Sequence, residues 1–500
     1  MNTFQPTSTF ARAFGLGRRA DASESADASA PTTFTLPAVT TAQQRLARLW
    51  LALALAALVG SGLFSVLLVL ARTPAINAFL PAGDFFRVAL VVHVDLSVLV
   101  WFVALAGLLW SLNLRAPARP GWHAAAEWVE WGAWGLCAAG AAGMAIAAFV
   151  DAPAPVMANY IPMLDSATFK AALVIFGLGG VLLVAQALAR PAAVGPAPDG
   201  TAALRFGLHA SVVAAAVALI AFAWSLAVVP RELPPKAYYE ILYWGGGHAL
   251  QFTWTLLMLI GWLALAQACG ARVPLSARVV LLLFAVALVS VFATPLAYLM
   301  HDVSTVEHRD MHTWGMRFGG GLAILPVTLA VLAAVVPLRK LASAQRPLRA
   351  ALLASMLLFA AGGVIGLTID GSNVKIPAHY HGCIVGVTLA LMGLVMHLLP
   401  QLGWRAPEGR LAVAQPWLYG VGQLLHIVGL VWSGGYGVQR KVAGAEQVLR
   451  SPGEVAGMAL MGLGGLLAIF GGLLFVVVVL RAMRGGPAAP AVTAAVEGQR

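Results

Sequence analysis

Runs of roughly twenty apolar residues recur along the chain, and short polar breaks rich in Gly and Pro separate them. A run of that length crosses a bilayer as a helix. The pattern predicts twelve spans: 49–71, 87–112, 131–150, 168–189, 206–229, 241–268, 279–300, 316–337, 350–369, 379–401, 414–433 and 456–480. Arg-Ala-Pro-Ala-Arg-Pro (115–120), Pro-Ala-Pro-Asp-Gly (196–200) and Arg-Ala-Pro-Glu-Gly (405–409) are typical breaks. No internal repeat stands out. The expectation is one all-α, polytopic bundle over residues 47–484. Residues 1–46 are rich in Ala, Ser and Thr and read as a disordered cytoplasmic tail, and 485–500 read as a flexible one. The first apolar run starts only near Trp50, so no cleavable signal peptide is expected.

Composition agrees with the pattern. The chain is 60% hydrophobic and 10% charged, far too apolar for a soluble domain of 500 residues. Its formal net charge of +11 would suggest nucleic acid in a soluble protein. Here the cations fall in alternate loops, so a membrane explains them and no nucleic acid is implied. Arg115, Arg119, Arg190, Arg205, Arg272, Arg278, Arg339, Lys340, Arg346, Arg349, Arg405, Arg410, Arg481 and Arg484 occupy one set of loops. The positive-inside rule puts that set, and both termini, in the cytoplasm of a bacterial-type inner membrane. The exception is the cationic outer loop with Arg440, Lys441 and Arg450. Cys137, Cys269 and Cys383 lie far apart in or beside apolar runs and read as small buried hydrophobes.

Ionisable groups inside a membrane are functional candidates by default. Span direction sorts the histidines by depth. His93, His248, His301, His379 and His381 fall at one level near the outer face, from four different helices. His123 reads as solvated. His209, His397 and His426 read as helix-packing residues, and His308 and His312 as part of an outer loop with Glu307, Arg309 and Asp310.

His379 and His381 open the tenth span. Successive helical residues turn by about 100°, so residues two apart leave opposite sides of the helix. One helix can thereby offer a ligand to two different neighbours. His93 and His381 could hold one haem from both faces, which suits electron transfer. His379 could hold a second haem with an open position. His248, His301 and Asp302 could hold another metal facing it. Two histidines and a carboxylate favour non-haem iron over copper.

These motifs resemble the catalytic subunit of the haem–copper oxidase superfamily, which includes cytochrome c oxidase subunit I and the nitric oxide reductases. Trp-Gly-Gly-Gly-His-Ala-Leu-Gln-Phe (244–252) resembles the sixth-helix metal-ligand motif, His93-Val-Asp-Leu-Ser the second-helix haem ligand, and Pro377-Ala-His-Tyr-His the tenth-helix dual ligand. The resemblance covers 49–480 and implies the twelve-helix subunit I arrangement. It implies a low-spin haem on His93 and His381 and a high-spin haem on His379, both of b type. It also implies a second metal, and Arg440 and Lys441 at the haem propionates. A cytochrome-type electron donor or partner subunit, a small gaseous substrate and a lipid bilayer complete the expectation.

The sequence departs from the family twice. The end of the seventh span reads His301-Asp302 where most oxidases have adjacent histidines. A register through His308 or His312 is the alternative, but Trp314-Gly-Met resembles the start of the eighth helix. Phe252 stands where many O2 reductases carry a tyrosine, and Tyr298 does not match the offset of another branch. Both departures favour reduction of NO to N2O over reduction of O2 to water. A b-type haem protein that only carries electrons and a proton-coupled transporter are the readings from other classes.

Overall fold

The computed structural model describes residues 32–77, 83–117, 120–151, 153–319, 321–443 and 446–486. Most of the expected tails, 1–31 and 487–500, lie outside them. Twelve long helical segments follow among the described residues. They are α1 (Thr41–Leu70), α2 (Phe85–Ser111), α3 (His123–Ala147), α4 (Ala167–Ala189), α5 (Gly200–Val228) and α6 (Pro235–Ala268). Then come α7 (Ala277–Met300), α8 (Val306–Val335, position 320 apart), α9 (Gln345–Gly366), α10 (Lys375–Leu398), α11 (Arg410–Gly435) and α12 (Pro452–Arg484). Ten are long and apolar enough to cross a membrane, and the other two, α3 and α11, coincide with expected spans. The protein is an all-α integral membrane protein. Its described strands, β1 (Ala154–Val156) and β2 (Met163–Asp165), form one antiparallel hairpin between α3 and α4.

Local chemistry sets the helix starts. Ser166, Asp199, Ser276 and Ser451 each accept a hydrogen bond from the amide three residues on, which caps α4, α5, α7 and α12. Thr40 and Gln43 form a reciprocal capping box, so α1 starts ahead of the apolar boundary at 49. Phe34 and Leu36, expected within the tail, are buried in the core. That part of the tail expectation is corrected: two large apolar side chains and a cap anchor it.

Loop contacts define the two ends of the bundle. At one end Gln44 meets Gln401, Asn113 meets Arg205, and Ser343 meets Glu408. This is the end with the cationic loops. At the other, Arg72 meets Gln447, Asn159 meets Glu240, Trp244 meets Arg309, and Lys441 meets Met157. The even-numbered helices start at this second end. Of the ten candidate spans, α2, α6 and α10 are the most enclosed, with 61%, 83% and 78% of their apolar windows buried. These three inner helices carry His93, His248 and the pair His379 and His381.

Candidate active site

The α10 pair diverges as its spacing requires. His379 Nδ1 lies 2.7 Å from the Gly362 carbonyl of α9. The His381 ring packs on His426 of α11, with centroids 5.1 Å apart. Gly362 and Gly382 let α9 and α10 approach so closely that a Cβ on either would overlap the other backbone. His93 is the other imidazole within electrostatic range of His381.

His93 lies in the last turn of a regular stretch of α2 that ends at Val94, and residues Asp95–Val100 follow as a π-helical turn. Such turns insert an extra residue and recur at functional sites. The Ser97 hydroxyl donates to the His93 carbonyl at 2.7 Å. Ser61 of α1 places its carbonyl 3.0 Å from His93 Nδ1. Asp95 is buried in the turn, and neither carboxylate oxygen has a hydrogen-bond partner.

Gly245, Gly246 and Gly247 make room for three aromatic rings around His248. A Cβ at Gly245 would overlap Tyr298, one at Gly246 would overlap Phe222, and one at Gly247 would overlap Tyr160. The Tyr160 hydroxyl is 2.8 Å from His248 Nδ1 and 3.0 Å from Nε2. His248 Nδ1 also lies 2.8 Å from the Trp244 carbonyl one turn back. With its Nδ1–H committed there, Nε2 is the acceptor for the phenol. Sequence reasoning missed Tyr160, because it arrives from the β1–β2 hairpin, far from α6 in the chain. The glycine triplet was the available signal: it marks close approach without naming the visitor.

The turn carrying Tyr160 is braced. The Asn159 amide and side chain both donate to Glu240 of α6. Lys441 Nζ donates to the Met157 carbonyl at 2.6 Å and to Asn159 Oδ1 at 3.4 Å. Tyr160 and Lys441 both adopt left-handed backbone, φ 66° and 64°, at a cost of about 1–2 kcal/mol each. The surrounding contacts hold them there. Burial, then the charge of neighbouring Arg440, lower the Lys441 ammonium to about 8. Arg440 borders a cavity of about 770 Å³, also lined by Lys236, Glu240, Gln439 and Lys441.

The eighth helix changes the sequence picture most. It starts at Val306, ten residues before the apolar run at 316. His308 and His312 therefore stand one turn apart on its first turns and are buried, while Glu307, Arg309 and Asp310 face outward. This corrects the reading of His308 and His312 as loop residues. The rings form a row: His308 to His312 at 4.5 Å, then His312 to His248 at 6.0 Å. Tyr298 lies edge-on to both, 4.7 Å from His308 and 5.8 Å from His312. Trp244 ties the helices together, donating to the Arg309 carbonyl under the Arg309 guanidinium.

His301 and Asp302 stand apart from that row. His301 caps the C-terminus of α7 and is half-buried, and it makes no ring contact with His248 among the described residues. Asp302 is exposed, and its carboxylate accepts from the Ser304 hydroxyl at 2.5 Å and amide at 2.9 Å. Those two bonds hold its carboxyl below the ordinary carboxylate range. Both bonds fall on Oδ1, within a short exposed turn.

The sequence profile described as Cytochrome C and Quinol oxidase polypeptide I matches residues 45–476. The chain belongs to that family. An uncharacterized protein of Rickettsia prowazekii is 27% identical over 490 residues, covering 86% of this chain and 94% of the relative. An uncharacterized protein of Aquifex aeolicus is 26% identical over 367 residues, covering 72% and 86% respectively. A heme-copper terminal oxidase dimer solved by cryo-EM has the same fold, with a TM-score of 0.64 at 17% identity over 90% of this chain and 86% of that one. The protein is thus a haem–copper oxidase subunit I-like catalytic subunit, an oxidoreductase of the membrane. Membership implies haems, a second metal, a small gaseous substrate and an electron donor.

The side chains fit such groups. His93, His248, His312, His379 and His426 each have Nδ1 within 2.7–3.0 Å of a main-chain carbonyl. That contact fixes the ring and turns Nε2 outward as a ligand, the usual support for a metal-bound imidazole. Both nitrogens of His308 and Nε2 of His312 are buried without a partner. Leaving such groups unpaired costs about 1–3 kcal/mol each, and a coordinated metal would satisfy them. As the side chains stand, no three His, Cys, Asp or Glu residues among the described residues meet closely enough to hold a metal. Closing the row onto an ion takes side-chain movement at the start of α8.

Proposed function

We propose that this subunit reduces O2 to water, with electrons supplied by a cytochrome-type donor. His93 and His381 would hold a low-spin haem and His379 a high-spin haem, both of b type. His248, His308 and His312 would hold the second metal. The observation that carries the reading is the phenol of Tyr160 against His248. Reducing O2 to two waters takes four electrons and four protons, and a phenol at the site can supply one of each. Joining two NO molecules as N2O and water takes only two electrons and two protons and needs no such group.

Three imidazoles without a carboxylate favour copper over iron at the second metal. Two sequence features favoured NO; in this reading Asp302 stays in its exposed turn apart from the histidine row, and Tyr160 would supply the phenol absent at Phe252. The bound metals would supply electrons and polarise the gas. The chain's own part is to fix imidazole orientation through carbonyls, to exclude water with the rings around Gly245–Gly247, and to keep the Tyr160 hydroxyl beside His248, whose Nε2 would pass from the phenol to the metal when the metal binds. Arg440, in its cavity with Lys236, would pair with haem carboxylates. Lys441 braces the hairpin instead. The cation-rich loops would face the cytoplasm of a bacterial inner membrane, with the site toward the outer side.

Metal content with turnover tests the reading. Two haem irons, one copper and O2 consumption by the purified protein are expected. Three irons without copper, with N2O formed from NO, would return the assignment to NO reduction. Haem without turnover of either gas would leave an electron carrier, and no haem would end the reading altogether.

A further inference from the structure

A second cavity lies at the opposite end of the bundle from the histidines. It measures about 820 Å³ and sits between the first turns of α9 and α11, under the loop that joins α8 to α9. Four cations line it: Arg339 and Lys340 from the loop, Arg346 and Arg349 from α9. No acidic side chain lines it, and none of the four takes part in an ion pair among the described residues. Arg349 Nη2 donates to the Val336 carbonyl at 3.0 Å, while its buried Nε has no partner. The N-terminus of α9 adds its own partial positive charge. Four unneutralised cations around one cavity repel each other unless an anion joins them.

The remaining wall is apolar. Leu341, Ala342, Ala350 and Leu353, with Val413 and Trp417 of α11, complete the lining. Arg346, Arg349, Ala350 and Leu353 recur at helical spacing, so one stripe of α9 passes from charge to hydrocarbon. One turn deeper, Leu357 and Val421 continue the two stripes and are 48% and 45% exposed. Trp417, 39% exposed, stands where tryptophan marks the interface between headgroups and acyl chains. A phosphate ester with apolar chains matches both halves of this surface, whereas a free phosphate would use only the charged half.

We propose that this cavity is a binding site for an anionic phospholipid. The headgroup phosphate lies among Arg339, Lys340, Arg346 and Arg349, and the acyl chains run along Leu353, Leu357, Trp417 and Val421. The site shares no residue with the histidine cluster and stands independently of the gas that is reduced. Basic pockets between helices on a cytoplasmic face are suited to such headgroups.

The test uses the full-length protein in neutral detergent, mixed with phosphatidylglycerol or phosphatidylcholine and read by native mass spectrometry. One phosphatidylglycerol is retained with at least about tenfold preference over phosphatidylcholine. Each near-surface cation contributes about fivefold, so the R339Q/K340Q/R346Q variant weakens retention on the order of a hundredfold. Its haem spectrum and lipid-free melting temperature stay unchanged, because these side chains are exposed. K340Q alone, weaker by about fivefold, serves if the triple variant fails to fold. Trp417→Ala weakens phosphatidylglycerol but not inorganic phosphate. Equal retention of the two lipids, unchanged affinity in both charge variants, or complete displacement of the lipid by millimolar inorganic phosphate overturns the proposal. The last result would identify a soluble-phosphate site.

Discussion

The ring of Tyr160 fills the space that a side chain at Gly247 would occupy. This contact brings a hairpin from between α3 and α4 onto the sixth helix and delivers a hydroxyl to His248. Gly247→Ala would force the ring out, and overpacking of this kind costs about 1–3 kcal/mol. Tyr160→Phe keeps the ring and removes only the hydroxyl. Its melting temperature should change little, and its haem spectra should remain, while O2 turnover falls on the order of a hundredfold. Parallel thermal melts and oxygen-electrode assays separate the two effects. Full O2 turnover in Tyr160→Phe would remove the phenol from the mechanism.

The histidine row makes an opposite forecast for two neighbouring pairs. His308→Ala and His312→Ala should each lower turnover more than about a hundredfold and reduce second-metal content. His301→Ala and Asp302→Ala should retain most of both. Metal analysis of the four proteins decides between the assignments, since a metal held by His301 and Asp302 would give the reverse pattern.

His381 has two imidazole neighbours, and they should behave differently. His93→Ala should abolish the low-spin haem spectrum. His426→Ala should leave both haems bound, because the segment that resembles a second-helix haem ligand falls on His93 and none falls on His426. Optical spectra of the dithionite-reduced variants give the answer. Loss of the low-spin band in His426→Ala would make that residue the second axial ligand.

Lys441 links pH to stability through the hairpin. Its folded value, about 8, lies below that of an unfolded lysine, near 10.4. Between these values the unfolded chain binds more protons than the folded one, so this group makes stability rise with pH. Below about 8 both states are protonated, and the burial penalty is fully present. Lys441→Met should flatten the rise in melting temperature from pH 8 to 10. A slope identical to that of the unaltered protein would mean that the amine is not buried at the Met157 carbonyl.

Much of the architecture was legible because hydropathy is a local property. The apolar runs match the helices, and the breaks match the loops. The divergence of His379 and His381 was legible too, since helical geometry alone sends residues two apart to opposite sides. The N-terminal turns of α8 were not. Glu307, Arg309, Asp310 and Arg317 hide a helix whose buried face is two histidines, and a hydropathy window averages over that periodicity. The i, i+4 spacing of His308 and His312 was present in the sequence, yet the adjacent pair at 301–302 matched the familiar pattern better.

By itself the sequence determined an all-α membrane bundle of the oxidase family and singled out His93, His248, His379 and His381 as candidate ligands. Short-range physics suffices for that: apolar length sets the spans, and helical pitch sets the faces. Tertiary structure decided which side chains meet. It set Asp302 in a solvent-facing turn, put His308 and His312 beside Tyr298, and laid Tyr160 into the seat left by Gly247. These pairings join residues tens to hundreds of positions apart, and only the packing of the helices fixes which groups meet.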